Sequence, residues 1–341
     1  LTWEDEAVLT NIQAIAMAAK ASGGSVLCQV KNVVKKGALP AKEVIIPGVF
    51  IDKLIVCTDL EKNHRMTMGE YYNPAYTGKY KYPVSAAAAL PLGVKKTIAR
   101  RAAQELKFHV PVNTGLGYPE GIASVANEEG IADELVLTVE TGAFGGVPAA
   151  RTSFGATTNA LAFVDSPTIF DLYDGGFLYA TFVGLAECDP AGSVNVSRFM
   201  DKSGRERRPG AGGFINLTQG AKNVIFCGTM TAGGYKAEIR DGKLVILQEG
   251  AEKKFLNSIN QVTFSGPHAM EIGQNVLYIT DRCVFRLTKE GLVLTEVAPG
   301  IDIETQILPF MEFRPIIADD VKEMDPKLFL EGLIGLREDI E

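Results

Sequence analysis

The chain has 341 residues, 46% of them hydrophobic and 22% charged, with a formal net charge of −7. At roughly 150 residues per domain that predicts a folded chain of about two α/β-sized domains, and it excludes a disordered or coiled-coil protein. Nucleic-acid binding needs a basic face and a membrane helix needs ~18 consecutive apolar residues; neither is present, so neither partner is expected.

Residues 4–20 place Val8, Ile12, Ile15, Ala16 and Ala19 at helical spacing, and Gly23-Gly24 stops the run. Residues 25–34 read as a strand. No strand precedes that helix, so the opening unit reads as the end of a larger α/β domain whose earlier part is missing or lies on another chain. Residues 44–46 and 49–56 read as short strands around Pro47-Gly48. From about 59 to 91, Tyr71, Tyr72, Tyr76, Tyr80 and Tyr82 sit among Lys, Asn, Gly and Pro, the composition of a linker. Residues 93–106 form a basic amphipathic helix whose Lys95, Lys96, Arg100 and Arg101 read as a solvated face.

Next come a strand at 108–112, a glycine-rich turn at 113–119, a helix at 120–129 and an apolar strand at 134–139 ending on Glu140. A second glycine-rich stretch, 141–148, follows directly. Later strands fall at 178–185, 224–227, 276–279 and 284–287, so the α/β pattern up to about 227 gives way to a strand-richer stretch. The loop carrying Arg198, Lys202, Arg205, Arg207 and Arg208 reads as solvated, and so do the acidic pairs Glu128-Glu129 and Asp319-Asp320, taken as helix ends.

Five cysteines at 28, 57, 188, 227 and 283 show no CxxC spacing, which reads as reduced thiols in a cytoplasmic protein. The three histidines, His64, His109 and His268, are too isolated for a zinc site, a Ser-His-Asp triad or a Cys-His dyad, so no metal is expected. An enzyme built on this chain must work with carboxylates and backbone amides.

The central segment has two readings. Gly115-x-Gly117-x-x-x-Gly121 follows a strand and opens a helix, and Glu140 stands 19 residues after Gly121 at the next strand end. That approximates the dinucleotide fingerprint of a nicotinamide dehydrogenase. Alternatively, Glu140 is itself reactive. The carboxyl end of a strand is where open α/β sheets bind ligands, and Gly142, Gly145 and Gly146 keep side-chain bulk away from it. A carboxylate can attack an activated acyl group such as a thioester. That chemistry moves no proton at neutral pH and needs only N–H donors for the oxyanion. Without further context, a strand-end glutamate is most often a surface or cap residue. Asn195 after Gly192 and the pairs Gly212-Gly213 and Gly233-Gly234 are then ordinary turn residues.

The segment Leu137-Thr-Val-Glu-Thr-Gly-Ala-Phe-Gly-Gly-Val-Pro-Ala149 resembles the active-site signature of family I coenzyme A transferases, nearest their bacterial acetate/propionate branch. Residues 115–130, 170–176, 192–197, 212–219 and 227–234 support the resemblance, which runs from about 5 to 330. It implies two open-sheet α/β domains of the CoA-transferase type, the first incomplete. Residues 1–60 would close the N-terminal domain, 61–92 would link, and 93–341 would carry the nucleophile. It implies Glu140 as nucleophile, an acyl-CoA loop at Gly115, Leu116, Gly117, Tyr118 and Pro119, and an active-site amide at Asn195. Gly212, Gly213, Gly233 and Gly234 would lie along bound CoA. CoA would be substrate and covalent intermediate, with no permanently bound cofactor. The partners would be acyl-CoA and short-chain carboxylic acids, and the enzyme a homo-oligomer. Thr141 departs from the family's usual Ser, Ala or Asn, and residues 1–60 match only the final third of the family's N-terminal domain. A non-catalytic acyl-CoA-binding subunit is the alternative from another class. Phe144 and Val147, bulky beside Glu140, are expected to narrow the acyl pocket.

Overall fold

The computed structural model describes residues 1–83, 89–200 and 204–341. Part of the expected linker (84–88) and Lys202 of the arginine loop lie outside the described residues. The chain forms two compact units, 1–83 with 138–171, and 84–137 with 172–341. These units cut across the boundaries expected at 60 and 92.

In the first unit the opening helix is shorter than its periodicity implies. It spans Ile12–Ala21, because Thr10 takes φ +52° and breaks any helix before it. The residues ahead of it are used differently: Thr2 bridges Val44, so the strand expected at 44–46 is reduced to an isolated bridge with backbone bonds between Leu1 and Ile45 and Ile46, and Trp3 packs edge-on to Phe163. Leu27–Val30 pairs in parallel with Lys53–Val56, a short 3-10 turn at Gly48–Phe50 preceding the latter. This two-stranded sheet leaves Leu27, Leu54, Ile55 and Val56 about half exposed. The tyrosine-rich segment is no free linker up to residue 83. Ala75 and Tyr76 are buried against Ala7 and Ala156, and Asn159 exchanges hydrogen bonds with the backbone of Tyr82 at 2.8 Å each.

The core of the second unit is a mixed sheet. Its strands run in the order Ile316–Glu323, Gly291–Val297, Cys283–Thr288, Asn275–Ile279, Asn223–Cys227, Ala180–Gly184, Pro111–Thr114 and then the start of Val136–Val139. The strands from Asn275–Ile279 to Pro111–Thr114 are mutually parallel, and Val224, Phe226, Val276 and Tyr278 are fully buried. Such near-continuous apolar runs are what a sheet covered on both faces requires. Cys283–Thr288 and Gly291–Val297 add antiparallel pairs, which accounts for the strand-rich composition after 227.

The helix Val94–Ala103 corrects the expectation of a solvated basic face, although Lys95 does stay partly exposed. Lys96 is buried on Glu128, Arg100 donates to the carbonyls of Leu328, Leu330 and Gly332, and Arg101 forks onto Glu296 with two 2.7 Å bonds. Buried guanidinium groups are tolerated here because each finds fixed acceptors. Glu129 is likewise no free helix end: it accepts from the amides of Ile334, Gly335 and Leu336 and caps Leu336–Ile340. Asp319 and Asp320 lie in the strand Ile316–Glu323 rather than at a helix end. The arginine loop is a hairpin in which Glu206 pairs with both Arg198 and Arg208. Among the described residues no helix is long and apolar enough to cross a membrane. All five cysteines are free; Cys188, Cys227 and Cys283 are buried, Cys28 and Cys57 half-buried.

Candidate active site

The Glu140 turn belongs to the first unit. Thr138 and Val139 pair antiparallel with Phe144 and Ala143, which pair in turn with Ala162 and Phe163. Between them the chain reverses over Glu140, Thr141 and Gly142, with the Gly142 amide bonded to the Val139 carbonyl at 2.9 Å. Ser166 Oγ donates to the Glu140 carbonyl at 2.5 Å, and Thr141 Oγ1 donates to the Gly155 carbonyl at 2.6 Å. Two hydroxyls thus pin the backbone on either side of the Glu140 peptide unit. The Glu140 side chain is half-buried, and its Oε2 is shielded from solvent.

The glycines around Glu140 answer first to their own chain. A Cβ on Gly142 would stand 1.9 Å from the Val164 carbonyl oxygen, and one on Gly146 would stand 2.2 Å from that of Thr158. Both also take positive φ, +114° and +72°. The expectation that these positions are small to admit a substrate is therefore corrected: they are small because the hairpin returns directly over them.

In the second unit, Gly115 follows the strand Pro111–Thr114, and its amide bonds to the Phe182 carbonyl at 2.8 Å. A Cβ there would meet that oxygen at 3.3 Å, and Gly117 takes φ +88°. The turn leaves Leu116 and Gly117 exposed and tucks Tyr118 and Pro119 inward. Burial pushes the Tyr118 phenol above its usual range, opposed by a hydrogen bond with Thr229. The turn after Pro111–Thr114 therefore meets the one after Asn223–Cys227.

Asn195 is fully buried, with its amide committed. Nδ2 donates to Glu187 and to the Arg198 carbonyl, both at 2.6 Å, and Oδ1 accepts from the amides of Ser197 and Arg198 at 3.1 and 3.3 Å. In this structure it shapes the start of the arginine hairpin. Gly212, at φ +54°, and Gly213 lead into the helix Phe214–Gly220. Gly233 and Gly234, at φ +76° and +89°, form an exposed turn whose next residue, Tyr235, hydrogen-bonds Asp281.

Sequence reasoning missed the polar group beneath this turn. Asp281 accepts from the Met230 amide at 2.7 Å, and Arg282, with no exposed surface, bonds Glu249 at 2.6 Å and the Gln306 carbonyl at 2.6 Å. Lys254 donates to the Leu185 carbonyl at 3.1 Å and approaches Thr229 Oγ1 at 3.4 Å. Its sequence context, Glu252-Lys253-Lys254, carries no signal beyond ordinary surface charge. Among the described residues, no group of three or more His, Cys, Asp or Glu side chains is placed to hold a metal ion.

No protein-family model matches the chain. Individual proteins do. The caffeate CoA-transferase of Acetobacterium woodii is 45% identical over 98% of this chain and 64% of its own length. The acetate CoA-transferase YdiF of Escherichia coli O157:H7 is 42% identical over 98% and 61%. A crystal structure of the latter protein, described as a thioester complex with CoA, superposes with a TM-score of 0.88 at 40% identity, covering 98% of this chain and 61% of that one. Over 98% of its own length the chain is similar to these coenzyme A transferases, and its fold is of their type. It spans a little over three fifths of the length of these relatives. The dinucleotide reading of the 115–121 turn is set aside on the same grounds.

Proposed function

We propose that the protein transfers CoA between acyl-CoA thioesters and free carboxylates, with Glu140 as nucleophile. The observation that carries this is the Glu140 turn itself, a carboxylate at a strand end on a backbone fixed by Ser166 and Thr141. A Glu140 oxygen attacks the thioester carbonyl carbon, the C–S bond breaks, and CoA leaves as thiolate from a mixed anhydride. The thiolate then attacks the Glu140 carbonyl carbon, the anhydride C–O bond breaks, and the free acid departs as carboxylate, leaving Glu140 as a CoA thioester. A second carboxylate reverses both steps on its own acyl group. Every nucleophile and leaving group is an anion at neutral pH, so no general base is required. Backbone amides of the glycine-rich turns would hold the oxyanions, and the loop Gly115, Leu116, Gly117, Tyr118 and Pro119, with Asn195, Gly212, Gly213, Gly233 and Gly234, would receive the acyl-CoA. CoA is thus substrate and covalent intermediate, without a resident cofactor.

Short-chain acids, acetate and propionate among them, are the proposed acceptors, with Phe144 and Val147 beside Glu140 setting the limit. The 45% identity to a caffeate enzyme supports a second reading, an extended unsaturated aryl acid. Cytoplasmic location and homo-oligomeric assembly belong to the same proposal. Transfer assays of the intact protein over a panel of acids test it. Glu140→Gln should abolish transfer by several orders of magnitude, and Glu140→Asp should fail too, because the carboxylate is withdrawn by a methylene. A protein that binds acyl-CoA but exchanges no acid would be the non-catalytic alternative.

A further inference from the structure

Three neighbouring parallel strands, Pro111–Thr114, Ala180–Gly184 and Asn223–Cys227, end in the Gly115–Pro119 turn, Leu185 and Gly228-Thr229 respectively. Carboxyl ends of parallel strands are where open α/β sheets bind ligands. Lys254 reaches into this place from outside the three strands. Its Nζ donates to the Leu185 carbonyl at 3.1 Å and lies 3.4 Å from Thr229 Oγ1. The Thr229 hydroxyl spends its proton on the Thr231 carbonyl at 2.7 Å, so its oxygen is the acceptor for Lys254. Gly228 makes the room: a Cβ there would stand 3.2 Å from Nζ and 3.1 Å from the Leu185 oxygen.

An ammonium has three N–H groups. Two are used here, one of them weakly, and the third has no protein acceptor among the described residues. The nearest charge that favours the ammonium is Asp281, whose oxygens are already taken by the Met230 amide, the Tyr235 hydroxyl and Arg282. Burial lowers the Lys254 pKa to about 8, Asp281 opposing it, so the group is mostly charged at pH 7. Lys254 is half-buried, and its head group keeps one N–H free to meet an anion that enters at these strand ends.

We propose that the third N–H of Lys254 binds an anionic oxygen of the substrate, a carboxylate or phosphate oxygen, at these strand ends. This rests on the transferase reading above. Losing such a charge-assisted bond weakens binding by roughly tenfold or more. The test follows the Lys254 ε-carbon by NMR in the intact protein labelled with 13C-lysine, the signal assigned by its loss in Lys254→Arg. Acetate, CoA and pantetheine, which has no phosphate, are titrated in separately. A shift with acetate assigns the acid carboxylate, and a shift with CoA but not pantetheine assigns a phosphate; either supports the proposal. In parallel, Lys254→Met should raise KM about tenfold for the partner so identified and leave the other within about twofold. Lys254→Arg should recover part of the loss, and Gly228→Ala, which crowds the head group, should imitate it. A Lys254 signal that moves with none of the three ligands, with both KM values unchanged in Lys254→Met, overturns the proposal. Failure of the transferase reading would look different: the wild type would form no CoA adduct on Glu140, and the NMR titration would still judge Lys254.

Discussion

Replacing Lys254 with methionine keeps most of the length of the side chain and removes its charge. The fall in pKa from 10.5 to about 8 corresponds to about 3 kcal/mol against the charged folded form, at about 1.4 kcal/mol for each tenfold change. Below pH 8 that cost is present in full, because both folded and unfolded chains are protonated. Between pH 8 and 10.5 the folded protein releases the proton while the unfolded chain still holds it, so the wild type gains stability as pH rises through this window. The variant has no such gain. Methionine also strips the Leu185 carbonyl of its donor, which costs about 1–2 kcal/mol. Lys254→Met should therefore be more stable than wild type by about 1–2 kcal/mol at pH 7 and less stable by a similar amount near pH 10.5. Denaturant unfolding of both proteins at pH 7, 8, 9 and 10 measures the difference, in which the other titrating groups cancel. A difference that stays constant across that range would refute the idea that Lys254 is buried as a charge.

Gly142→Ala should cost more than about 3 kcal/mol, since the methyl group would overlap the Val164 carbonyl at a backbone angle that disfavours any side chain; denaturant unfolding gives the value. Arg101→Met leaves Glu296 without its fork and should cost about 3 kcal/mol, measured the same way. On the proposed function, Phe144→Ala should extend the range of acids accepted toward longer chains, and an unchanged acid profile would show that residues elsewhere set the limit.

The strands of the second unit were legible because a covered parallel sheet demands apolar runs, and residues 224–227 and 276–279 are such runs with few alternatives. The opening helix was overextended because periodicity over Val8 and Ile12 cannot reveal that Thr10 turns to positive φ. The basic helix misled for a different reason. Arg100 and Arg101 are charged in any sequence scale, and their acceptors on Leu328, Leu330 and Glu296 come from residues about two hundred positions away. The residue spacing and the family resemblance placed Glu140 at a strand end, and the structure has it there. The glycines around it were found but misread, since close return of the 158–164 chain and substrate access leave the same trace in a sequence. Asn195 shows the converse: its glycine-rich setting reads as a turn, and four hydrogen bonds make it the anchor of one. Lys254 had no legible signal at all, because its partners are a backbone carbonyl and a threonine hydroxyl on two other loops.

The central claim is that Glu140 carries CoA as a thioester during turnover. The most direct measurement is mass spectrometry of the tryptic peptide 108–151 after the intact protein meets acyl-CoA with no acceptor acid. The account predicts a CoA adduct localised to Glu140, discharged on adding acetate or another accepted acid, and converted to the alcohol by borohydride. An unmodified Glu140 in a protein that is actively transferring CoA would contradict it.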